Sequence, residues 1–105
     1  MYWTRTVVAA HAAGMATFAV QYTYGANTDA ARDRFRPEHK DFLAGLHEAG
    51  RLRVSGPVDG GALLIFEGSS AEEVAALLDG DPFRREGLIA ERTVREWTIF
   101  FGGLK

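Results

Sequence analysis

From Thr17 to Tyr24 the chain alternates, with Phe18, Val20, Tyr22 and Tyr24 on one face and Ala19, Gln21 and Thr23 on the other. A period of two marks a half-buried strand. Gly25-Ala26-Asn27 ends it, and Thr28 can cap a first helical turn. Pro37 suits the opening turn of a helix and is poor inside one, because it has no N–H and crowds the preceding turn. The pattern therefore predicts a bend near Arg36 and a helix from Pro37 to Ala49. Its apolar stripe is Phe42, Leu43, Leu46 and Ala49, and Gly50 is its C-cap. Leu52 to Ser55 reads as a second strand, stopped by Gly56-Pro57. Ala62 to Phe66 is a continuous apolar run, as expected of a central strand covered on both faces. Asp59-Gly60-Gly61 joins the two as a hairpin. Ser70 with Glu73 is a capping box for a second helix, whose core side is Val74, Leu77 and Leu78. A loop at Asp79 to Phe83 and a turn from Arg84 to Gly87 lead to a long last strand, Glu91 to Phe101. There Val94, Thr98 and Phe100 oppose Thr93, Arg95, Trp97, Ile99 and Phe101.

The predicted order is β-α-β-β-α-β. Its usual solution is an α+β, ferredoxin-like antiparallel sheet with two helices on one face. The other face carries large apolar side chains from the first and last strands in either register. A homodimer packed sheet against sheet, forming a dimeric α/β barrel, would cover them.

Composition narrows the classes. The 105 residues suit one domain, and 47% hydrophobic with 25% charged is an ordinary globular balance. A net charge of −2 gives no electrostatic reason to expect nucleic acid or an anionic membrane. With no cysteine there is no disulfide, thiolate nucleophile or thiolate metal site. No apolar run is long enough to cross a bilayer. Residues 1–14 read as an extension ahead of a domain spanning 15–105, and Met15 could start the minimal chain. Val7 to Ala10 is too short for the apolar core of a secretory signal, so a cytoplasmic location is the default expectation.

Two short motifs carry the chemistry: Arg36-Pro37-Glu38-His39 and Asp81-Pro82-Phe83. An imidazole held by a carboxylate is a common proton-transfer device near neutral pH. On this reading His39 occupies the first turn of its helix, where the dipole disfavours an imidazolium and a carboxylate would offset that. From spacing alone the plainer reading is favoured: an exposed His39, and an Asp81 that stabilises a turn before Pro82. Ser55-Gly56-Pro57 could offer a hydroxyl and backbone N–H groups to an anionic oxygen, or be an ordinary turn. Arg36 could bind a carboxylate or phenolate, or be a surface charge. Phe83 and Tyr22 fit either a pocket wall or the core. His47, near a helix C-terminus, reads as structural, and His11 is given no role. The three histidines lack metal-ligand spacing, so no metal is expected. No glycine-rich phosphate loop is present. The apolar third strand lacks the stacking positions of an RNA-recognition domain.

Taken together, Arg36-Pro37-Glu38-His39, Leu46-His47-Glu48-Ala49-Gly50-Arg51-Leu52, Ser55-Gly56-Pro57 and Asp81-Pro82-Phe83 resemble the YciI-like (YCII-related) family. The resemblance covers about Met15 to Gly102. It implies a dimeric ferredoxin-like barrel and an active site built on a His-Asp pair, here His39 and Asp81. Most members lack an assigned reaction. One is regarded as eliminating hydrogen chloride from a chlorinated hydroxyquinol, and relatives of the barrel include muconolactone isomerases and cofactor-free monooxygenases. The implied function is a small lyase or isomerase without a cofactor, moving a proton on an aromatic or lactone substrate. Arg36, Ser55, Gly56, Pro57 and Phe83 would be its substrate contacts. The alternative is a non-catalytic module that holds a small molecule in the same cavity.

Overall fold

A computed structural model describes residues 14–104. The elements are β1 (Ala16–Tyr24), α1 (Asp29–Glu48), β2 (Leu52–Val58), β3 (Gly61–Gly68), α2 (Ala71–Leu78), the single turn α3 (Pro82–Arg85) and β4 (Ile89–Glu96). All strand pairings are antiparallel, in the order β2-β3-β1-β4. That is the ferredoxin-like sheet the sequence pattern predicts, with β3 central. The expected boundary at residues 1–14 falls almost wholly outside the described residues.

The core lies between the helices and one sheet face. Phe18, Val20 and Tyr22 of β1 meet Leu64 and Phe66 of β3, and Val74 and Leu78 of α2 close over them. Gly61 leaves no room for a side chain, since a Cβ there would lie 1.7 Å from the Tyr22 carbonyl oxygen.

Helix α1 departs from expectation. It is one continuous helix of 20 residues with Pro37 in its interior, not a helix begun by Pro37. Proline inside a helix costs about 3 kcal/mol through the lost hydrogen bond and its clash with the preceding turn. That cost is offset because Ala31 and Phe35, before the proline, pack on the same core as Phe42, Leu43 and Leu46 after it. Thr28 does not cap the helix with its side chain. Its hydroxyl donates to the Gly25 carbonyl at 2.7 Å and accepts from Arg32 Nε. The C-terminus matches expectation, with Gly50 at a φ of +78°. The Gly50 and Arg51 N–H groups return to the His47 and Leu46 carbonyls, a Schellman closure.

The strands show two further differences. β2 runs through Gly56-Pro57 rather than stopping there. Proline is tolerated because β2 is an edge strand. A bulge at Arg53 also changes its facing: Leu52 pairs with Phe66, but Val54 already pairs with Ile65. Ser55 and Pro57 thereby join Leu52 on the helix side. β4 begins at Ile89 and ends at Glu96, so the expected strand to Phe101 stops short. After Trp97, whose N–H still reaches Thr17 O, the chain leaves the ladder, and Arg53 Nη2 contacts the Leu104 carbonyl.

At α2, Ser70 accepts from the Glu73 N–H at 3.0 Å, as predicted. The reciprocal half of the capping box is absent. Glu73 instead accepts from the Ser69 N–H and takes the Arg51 guanidinium on both oxygens. Replacing Ser70 with Ala is expected to cost about 1 kcal/mol. In a chain of this size that lowers the melting temperature by roughly 4–8 °C, checked by thermal denaturation.

Candidate functional site

The loop after α2 brings the two motifs together. Asp81 is the N-cap of α3, not a plain loop residue, and Pro82 takes the first helical position. The Asp81 side chain is fully buried and accepts three hydrogen bonds. One comes from the Phe83 N–H at 2.9 Å, one from the Tyr22 hydroxyl at 2.9 Å, and one from His39 Nδ1 at 2.8 Å. A carboxylate removed from water needs such donors, because an unpaired buried charge is strongly unfavourable. In Asp81-Pro82-Phe83 the first residue caps, the second starts the turn, and the third supports His39. The Phe83 ring stacks on the imidazole with centroids 3.9 Å apart and planes 1° from parallel.

His39 lies mid-helix, so the expectation that it feels the helix N-terminus is corrected. It sits on the buried stripe between Phe35 and Phe42, four residues after one and three before the other. A carboxylate can only accept, so His39 donates from Nδ1, and in the neutral ring Nε2 is the nitrogen with the lone pair. The imidazole borders an open cavity of about 720 Å³ lined by α1, β2, β3, Tyr24 and Phe83. Asp81 stands behind the imidazole and does not line that space.

The remaining sequence candidates also line this cavity: Arg36, Ser55, Gly56, Pro57 and Phe83. Ser55 and Pro57 reach it only because of the Arg53 bulge. Arg36 is additionally paired with Asp33 on its own helix. Several lining residues have no site role on sequence grounds. Arg32, which lies 4.2 Å over the Tyr24 ring, Lys40, Arg53 and His47 all border the space. Among the described residues no aspartate or glutamate does. Among them, too, no group of three potential metal ligands converges, and no helix is long and apolar enough to cross a membrane.

Residues 15–98 match the model of the YCII-related domain. The chain belongs to the YCII-related family. No curated protein matches. Among solved structures, the chain is similar to 5-chloro-2-hydroxyhydroquinone dehydrochlorinase from Burkholderia phenoliruptrix, in complex with 2,5-dihydroxybenzoquinone. The two share 26% identity with a TM-score of 0.70, over 78% of this chain and 93% of the other.

Within this YCII-related domain Tyr22 is the buried partner that sequence reasoning leaves undecided between core and pocket. The usable signal is a phenol on the fully apolar face of β1, whose hydroxyl must find an acceptor. Burial, the Asp81 charge and the hydrogen bond to Asp81 push the Tyr22 hydroxyl well above the ordinary tyrosine value of 10.0. Above that value the unfolded chain releases a proton that the folded chain keeps. The native state then binds more protons, and stability falls as pH rises. Tyr22→Phe is expected to lose about 1–3 kcal/mol at neutral pH, because Asp81 keeps its burial and loses a donor. The same variant should show a shallower stability loss above pH 10.0. Urea denaturation at neutral and alkaline pH checks both; an equally steep alkaline fall in the variant would assign the effect elsewhere.

Proposed function

We propose that this chain is a cofactor-independent lyase acting on a small, planar, hydroxylated aromatic ring. His39 is the proton-transfer group, and Asp81 orients it and balances the charge it gains. The observation that carries this reading is the 2.8 Å contact between His39 Nδ1 and the buried Asp81, with the imidazole bordering the cavity. Such a pairing fixes the tautomer and directs the Nε2 lone pair to whatever enters. The rigid stack on Phe83 limits ring rotation. The basic lining, formed by Arg32, Arg36, Lys40 and Arg53, favours an anion such as a phenolate or enolate.

The reaction of the similar dehydrochlorinase gives the chemical class. A chlorinated hydroquinone becomes a quinone by losing two O–H protons, gaining one proton at the carbon bearing chlorine, and releasing chloride. The sum is loss of HCl, with no external oxidant. In this chain His39 Nε2 takes an O–H proton and returns it to that carbon. The second O–H bond then breaks, its electron pair moves through the ring, and chloride departs.

The same reading includes a homodimer. Val54 and Val58 stand 49% and 44% exposed on the sheet face away from the helices, and Trp97, Phe100 and Phe101 of the C-terminal segment are also exposed. A second copy packed against this face would bury them and close the barrel.

Chloride release from a chlorinated hydroquinone tests the chemistry. His39→Ala is expected to lower the rate by about 100-fold or more, and Asp81→Asn by at least about tenfold. Wild-type protein that binds the ring without releasing chloride would instead make this a binding module. Sedimentation equilibrium tests the assembly: wild type should be dimeric, and Val58→Glu combined with Phe101→Glu should be monomeric. A monomeric wild type would sink the dimer.

A further inference from the structure

His47 is the second histidine on the cavity wall, and the lyase chemistry so far gives it nothing to do. It occupies the last turn of α1, and its Nδ1 lies 2.8 Å from the Leu52 carbonyl oxygen. A main-chain carbonyl only accepts, so Nδ1 carries a proton, and in the neutral ring Nε2 holds the lone pair. Nε2 has no partner among the described residues. His47 thus repeats the arrangement of His39: one ring nitrogen is pinned by an oxygen of the fold, and the other is left free in a residue that borders the same space.

The placing of the two histidines on one helix selects a ligand. Their backbone positions are eight residues apart, a rise of about 12 Å along the helix axis. Leu43 and Ala44 of the same wall lie between them. The wall is therefore polar at its ends and apolar in its middle. A six-membered ring with oxygens at para positions has the same layout, and a hydrogen bond of about 2.8 Å at each end extends it to nearly that span.

We propose that His47 is a second proton-transfer and binding residue, which takes the ring oxygen opposite the one held by His39. This rests on the lyase reading above and deepens it. Elimination of HCl from a chlorinated hydroquinone removes protons from two oxygens on opposite sides of the ring. His39 Nε2 takes the first and returns it to carbon. His47 Nε2 takes the second, as that O–H bond breaks and its electrons pass through the ring to expel chloride. The proton on His47 then leaves to solvent, so HCl is accounted for.

His47→Asn separates this role from a structural one. The asparagine amide can still donate to the Leu52 carbonyl from near the Nδ1 position, while nothing remains near Nε2. Titration calorimetry with hydroquinone, which has two para hydroxyls, and with phenol, which has one, provides the readout. His47→Asn should weaken the first by about tenfold, the scale of one hydrogen bond, and leave phenol and the melting temperature unchanged. His47→Gln, with a polar atom near Nε2, should regain binding without regaining chloride release. Wild-type affinity for hydroquinone in His47→Asn, an equal loss for both ligands, or no hydroquinone binding by the wild type would overturn the proposal. If His39→Ala still releases chloride while His47→Asn loses hydroquinone affinity, the catalytic reading fails and the two-ended site stands.

Discussion

The Asp81 carboxylate is held where no water reaches it, and three separate parts of the chain must arrive to make that tolerable. β1 supplies the Tyr22 hydroxyl, α1 supplies the His39 ring N–H, and α3 supplies the Phe83 N–H. Each donor is itself fixed by packing: Tyr22 by the β1–β3 contact at Gly61, His39 by its place on the α1 stripe, Phe83 by its stack on the imidazole. Removing any one leaves a buried charge short of a partner, so the three elements are coupled through a single side chain. Helix α1 cannot slide or rotate on the sheet without breaking its contact with Asp81. The imidazole is thereby held at a fixed depth in the cavity wall before any ligand arrives.

Much of this is legible in the sequence, and what is not has identifiable causes. The element order, the central β3, the Gly50 stop and the Ser70 cap all follow from local pattern, because each depends on neighbours within a few residues. The meeting of His39 and Asp81 does not. They are 42 residues apart, and spacing alone favours an exposed His39 and an Asp81 that only stabilises a turn. Only the motif combination and its family resemblance raise the pairing as an expectation. Pro37 misleads in a specific way. Proline's local preference starts a helix there, and only the core contacts of Ala31 and Phe35 extend it backward. With the helix begun at Asp29 the stripe reads Phe35, His39, Phe42, Leu43, Leu46. A histidine in the middle of an apolar stripe is then a visible signal of a buried polar partner. The Arg53 bulge leaves no comparable trace, since one extra residue in an edge strand costs little and has no fixed composition.

Those two irregularities matter more to the site than the regular elements do. Pro37 lies two residues before His39, and its ring removes the helix hydrogen bond that would have ended on the Asp33 carbonyl. The bulge decides which side chains of β2 meet the cavity. In an unbroken alternation from Leu52, Val54 and Gly56 would face α1. The extra residue turns Ser55 and Pro57 there instead. Ser55 and Pro57 of β2 thus line the same cavity as the two histidines of α1. β-Bulges recur beside functional sites for this reason: they re-aim a strand without altering the sheet that supports it.

The site therefore divides into two regions with different physical demands. Behind His39 everything is buried and mutually bonded, and a change of one group is felt by all. In front of it, Arg32, Arg36 and Lys40 on α1 and Arg53 on β2 rim an open space, and their charges interact through water and salt. Coupling is strong in the first region and weak in the second. Substitutions along the rim can then alter which anion is drawn in, while the depth and tautomer of His39 stay fixed by Tyr22, Asp81 and Phe83. A domain organised in this way can hold one imidazole in place while the residues around it vary. His47 stands at the boundary of the two regions, with one nitrogen tied to the Leu52 carbonyl in a residue that borders the variable space.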